Sequence, residues 1–184
     1  KKKMNQKEVK FIENERIQLN EYRFLRLIGF TFGINFNESR TICLQNQILK
    51  QITNFLPLIN GITFDGDNYH YQSFTHLIRI IHQHFPNLQI FAILTSRSSI
   101  ESFQQSWRDT GITEINFLIP ESNYDGKYSE HAIANHQLLD PEVVFCFGGG
   151  SCVVDELTHF KHLQKKFHLF HISRTIDEVS QECS

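Results

Sequence analysis

Val143-Val-Phe-Cys-Phe-Gly148-Gly149-Gly150-Ser151-Cys152-Val-Val-Asp155-Glu156-Leu157 is the stretch from which the rest of the chain can be read. Its opening run of five apolar residues suits a strand covered on both faces, the three glycines suit a sharp turn, and the mixed run after them opens a helix. Glycines let the backbone bend and approach a ligand with no Cβ in the way. The free N–H groups and dipole of the following helix attract an anion. A phosphate at Gly148, Gly149, Gly150 and Ser151 meets that description; a tight strand-to-helix turn with no ligand is the plain alternative.

A buried strand feeding a helix is the unit of an α/β fold, and the same alternation recurs on both sides of this stretch. Short apolar runs predict six strands, at residues 24–32, 61–64, 89–94, 114–119, 143–147 and 167–172. Amphipathic runs predict helices over 41–55, 73–84, 100–110, 128–138 and 152–163. In the first helix Ile42, Gln45, Leu49, Ile52 and Leu56 recur at helical spacing, with Ile48 and Phe55 beside them. Breakers fall between the runs, at Asn60-Gly61, Pro86-Asn87, Thr110-Gly111, Pro120, Asp125-Gly126 and Asp140-Pro141. The expectation is one Rossmann-like α/β domain over 21–174, a mainly parallel sheet with helices on both faces. Residues 1–20 read as a polar arm and 175–184 as a polar tail.

Composition bounds the function. The 184 residues make one domain's worth of chain, and 40% hydrophobic residues with 17 Phe exclude global disorder. Lys+Arg 18 against Asp+Glu 20 gives a formal charge of −2, so no bulk basic field predicts nucleic-acid or membrane partners. No apolar run approaches the roughly 20 residues that cross a bilayer. Cys43, Cys146, Cys152 and Cys183 form no C-x-x-C pair, and Lys1-Lys2-Lys3-Met4 has no apolar run behind it. Both fit a cytoplasmic protein. The number of copies is left open, a homodimer included.

The order of strand, glycine run and helix resembles the Rossmann-like nucleotide-binding superfamily of the cytokinin-activating phosphoribohydrolases and the DNA-processing protein A family, marked by Gly-Gly-x-Gly-Thr-x-x-Glu. This chain keeps Gly148 and Gly149. Ser151 stands where the third glycine falls, Cys152 for the threonine and Asp155 for the glutamate. Ile62-Thr-Phe-Asp65-Gly66-Asp67 before Ser73-Phe-Thr-His-Leu-Ile resembles the superfamily's earlier Gly-Gly motif. The resemblance implies a nucleotide or phosphorylated small molecule as partner and hydrolysis of an N-glycosidic bond as the reaction. An arginine before the glycine loop assists that reaction in the phosphoribohydrolases. Residues 127–140 hold Lys127, His131 and His136 but no arginine.

Asp65-Gly66-Asp67-Asn68 offers a second chemistry. Two carboxylates one residue apart at a strand end can hold Mg²⁺, with one free to attack phosphorus. The order Asp65, Asp67, then Thr95-Ser96-Arg97, Lys127 and Asp155 resembles the haloacid dehalogenase superfamily, although Gly150 occupies the place of its final-loop acid. An Asp65 strand at the sheet centre beside the Gly148 strand, with a flap following it, would support that phosphohydrolase. Asp, Gly and Asn are also ordinary turn and cap residues.

Among the remaining residues, the ten histidines match no zinc spacing, Cys146 reads as core, and Cys152 reads as a small filler. Trp107 reads as helix-to-sheet packing, while Tyr69 and Tyr71 could stack on a base or fill the core. The candidate catalytic set is Asp65, Asp155 and Glu156. The ligand-binding set is Gly148, Gly149, Gly150, Ser151, Asp67, Asn68, Thr95 and Arg97. Asp65 and Asp67 are metal ligands only if Mg²⁺ is used.

Overall fold

The structure, a computed structural model, describes residues 8–29, 42–68, 72–119, 139–147 and 151–170. Seven parallel strands form one sheet: β1 (Lys10–Glu13), β2 (Phe24–Gly29), β3 (Gly61–Asp65), β4 (Gln89–Ile93), β5 (Glu114–Leu118), β6 (Val143–Phe147) and β7 (Lys166–Phe170). The described helices are α1 (Ile42–Phe55), α2 (Gln72–His84), α3 (Ile100–Ser106) and α4 (Ser151–His162). Every residue of β6 is buried, as are the first five of β2. Strands covered by helices on both faces have no solvated side on which to place polar residues, so their sequences read as continuous apolar runs.

The sheet order is β1-β5-β4-β3-β2-β6-β7. From β2 the chain steps outward through β3, β4 and β5, and then crosses back to β6 and β7 on the other side. Its direction therefore reverses between β2 and β6, which makes their carboxyl ends the topological switch point where open α/β sheets bind ligands.

Alternation along the strands builds two faces. On one, Leu25, Leu27, Ile62, Phe64, Ile90 and Ala92 pack with Ile48 and Ile52 of α1, Leu77, Ile78 and Ile81 of α2, and Phe103 of α3. On the other, Ile28, Val144 and Cys146 pack with Phe160 of α4, and Val153 and Leu157 lie against them. Beyond them Phe24, Phe91, Ile93 and Leu118 meet Leu19 and Leu139. Right-handed crossovers require this change of face when the winding direction reverses.

Three details differ from the sequence reading. Lys10–Glu13, inside the segment read as an arm, is a seventh strand, with Lys10 opposite Glu114 and Phe11 opposite Ile115. The buried stripe of α1 runs through Gln45, Ile48 and Ile52, and Ile42 is exposed. α3 closes at Ser106, with Trp107 as its C-cap. The segment 128–138, read as a helix, and the tail 175–184 lie outside the described residues. No described helix is long and apolar enough to cross a membrane.

Candidate functional site

An arginine sits in the middle of the apolar strand Phe24-Leu-Arg26-Leu-Ile28, and its exposure is only 1%. A buried charge is costly unless paired and fully hydrogen-bonded, so its partners define the local structure. Arg26 Nε donates to Glu156 Oε1 at 2.9 Å, Nη2 to Asp65 Oδ1 at 2.9 Å, and Nη1 to the Thr63 hydroxyl at 3.3 Å. Strand geometry explains two of these partners. Arg26 is level with Thr63 in the β2–β3 register, and Asp65, two residues on, points to the same face one step nearer the carboxyl edge. Glu156 reaches the guanidinium from α4, which covers that face over β2 and β6. Burial works against the charge, but the Glu156 and Asp65 carboxylates outweigh it and hold Arg26 protonated well above the ordinary arginine range. The planar fork lets one group serve three acceptors.

The candidate residues divide around this bridge. Asp65 and Glu156 come together on Arg26, but they differ in access: the Asp65 side chain is 22% exposed and the Glu156 side chain 4%. Asp65 is therefore in part open to solvent, while Glu156 is buried against Arg26. Asp155, one residue earlier on α4, is half-buried. Asp67, in the short 3-10 turn Gly66–Asn68, accepts the backbone N–H of Thr95 at 3.0 Å, so its carboxylate clamps the turn after β3 to the turn after β4. Gly66 makes this close approach feasible, because a Cβ there would collide with Leu94 and crowd Ala92 and Phe103. Arg97 stands apart. It pairs with Glu13 at the end of β1 at 2.6 Å, with side-chain exposures of 70% and 44%.

Among the described residues no group of three or more His, Cys, Asp or Glu could hold a metal ion. The Asp65 carboxylate also lies against the fixed positive charge of Arg26, and that of Asp67 already accepts an amide.

β6 ends at Phe147, level with Gly29 of β2, at the same edge of the sheet as Asp65 at the end of β3, and α4 begins at Ser151. Gly148, Gly149 and Gly150 lie outside the described residues, as do Tyr69, Tyr71, Lys127 and the side chains of Asn68, Ser151 and Cys152. The Asp65 and Gly148 strands are not neighbours, because β2 lies between β3 and β6. β3 is the central strand of the seven, as that phosphohydrolase requires, but the adjacency it also requires is not seen, since β2 with Arg26 stands between. Sequence reasoning passed over Arg26 and Thr63. The available signal was an arginine flanked on each side by two apolar residues, which could be buried only with carboxylate partners.

Comparison with family models and with curated proteins finds no match for this chain.

Proposed function

We propose that the chain binds a nucleotide or related phosphorylated small molecule in the crevice at the carboxyl edge of β2 and β6. The run Gly148-Gly149-Gly150 and the amino end of α4 at Ser151 would take the phosphate, where N–H groups and the helix dipole favour an anion. Asp65, a carboxylate ill-suited to phosphate but well suited to accept hydroxyl hydrogen bonds, would take a ribose hydroxyl from the opposite lip. The observation that carries this reading is the Arg26 bridge. One buried guanidinium joins Asp65 at the end of β3 to Glu156 in the helix behind the glycine run, so both lips share one rigid support.

A sensor that releases its ligand unchanged is the second reading, favoured by the burial of Glu156, which keeps that carboxylate from touching a ligand. Where turnover occurs, the class proposed is hydrolysis of an N-glycosidic or related nucleotide bond. The Mg²⁺-dependent phosphohydrolase rests on residue order alone.

Thermal melting of the full chain with AMP, ADP and ribose 5-phosphate, with and without Mg²⁺, tests the proposal. A rise in Tm with at least one of them is expected. Gly149→Glu should abolish it and Asp65→Asn weaken it. Chromatography of the same mixtures separates base release from simple binding. No shift across the panel overturns the proposal, and Mg²⁺-dependent phosphate release lost in Asp65→Asn would replace it with the phosphohydrolase.

A further inference from the structure

A further feature lies at the β7 edge of the sheet, two strands from Arg26 and on the face that α1 covers rather than α4. β7 closes the sheet beyond β6, and among the described residues no strand pairs with its outer side. Beside that edge a cavity of about 340 Å³ opens between α1 and β7, lined by Gln47, Lys50 and Gln51 of the helix and His168, Leu169 and Phe170 of the strand. The inner wall is firm: the His168 ring packs on Phe55 and Phe145 at centroid distances of 5.4 and 5.3 Å, and Phe170 stacks on Phe147 at 5.0 Å. On the other face of the same strand, Phe167 and Leu169 are 36% and 63% exposed.

An open strand edge is normally guarded by charge, brevity or a cover. β1, at the far side, follows that rule with four residues, Lys10 and Glu13 at its ends, and an arginine on Glu13. β7 has five residues and exposes two large apolar ones. The cleft lining carries one charged side chain, Lys50, and neither wall, Ile42–Phe55 or Lys166–Phe170, contains an aspartate or glutamate.

We propose that this cleft captures an extended acidic peptide segment, which adds to β7 as a further strand. Main-chain hydrogen bonds to the open edge would supply affinity, and the alternation of side chains would supply selectivity. Acidic residues on one side of the added strand would reach Lys50 and the glutamine amides. Apolar residues on the other side would cover Phe167 and Leu169. A second copy of the chain is a poorer occupant, because an edge-to-edge pair would set two walls with lysines and no acids against each other.

Selection of displayed random nonapeptides against the full chain tests this. Enriched peptides are expected to alternate Asp or Glu with apolar residues. A fluorescein-labelled winner should bind Lys50→Glu at least tenfold more weakly, and Lys161→Glu, a charge reversal on exposed α4 surface, within twofold of the parent. No enrichment, winners without acids, or equal binding by Lys50→Glu overturns the proposal. A dimer in sedimentation that Leu169→Glu dissolves overturns it in favour of a second copy.

Discussion

Arg26 at the centre of the sheet and Arg97 at its β1 edge each hold a carboxylate, and the shorter contact belongs to the edge: 2.6 Å for Arg97–Glu13 against 2.9 Å for each Arg26 pair. Distance would rank the edge pair first; burial reverses the order. Arg97 is 70% exposed, so water and salt screen its bridge, and exposed pairs of this kind are worth about 0.2–1 kcal/mol. Arg26 is 1% exposed, and its charge persists only because two carboxylates and a hydroxyl surround it. Removing one partner there unbalances charges that burial makes costly to leave uncompensated.

The largest effect is expected from Arg26→Met, which takes the positive charge from the buried Glu156 carboxylate and from Asp65. Urea titration should show a loss of about 3–5 kcal/mol. A loss under about 1 kcal/mol would break the contrast between centre and edge. Glu156→Gln keeps the shape but removes one charged acceptor, so about 1.5–3 kcal/mol should be lost by the same titration, with little change when 1 M NaCl is added. Asp67→Ala frees the Thr95 amide in a half-buried turn and should cost about 1 kcal/mol, with faster hydrogen exchange at that amide. The smallest effect belongs to Arg97→Ala. A double-mutant cycle with Glu13→Gln should give a coupling under about 1 kcal/mol that vanishes in 1 M NaCl. A salt-insensitive coupling at Arg97, or a salt-sensitive one at Glu156, would show that burial is not what separates the two sites.

Apolar content, more than place in the sheet, governs what the sequence made legible, since the edge strand β7 was announced by its own apolar run. Strands β2 to β6 lie within the sheet, and their apolar runs announced them. β1 buries only Phe11 and Ile12 in part and carries charge at both ends, so its four residues looked like arm. The strand order was not legible, since nothing local in β2 says that its neighbours are β3 and β6. At the site, Asp65 and Glu156 attracted notice as carboxylates near strand ends. What joins them did not, because Arg26 lies inside a run whose apolar character dominated the reading. Glu156 belongs to the candidate catalytic set, and the phase of α4 that seats Phe160 in the core also turns Glu156 inward, onto Arg26. Asp67 had been weighed as a turn residue, and its bond to the Thr95 amide gives it that work.

One consequence of the β1–β5 pairing concerns time rather than energy. Asn14, just past the end of β1, bonds Asn116 across 102 positions of chain, and the ladder beside it spans a similar gap. A growing polypeptide therefore exposes β1 long before β5, its neighbour among the described residues, has been synthesised. At translation rates of roughly 5–20 residues per second, that wait lasts on the order of ten seconds. Few apolar side chains and a lysine and glutamate at its tips suit a segment that must stay dissolved until β5 arrives.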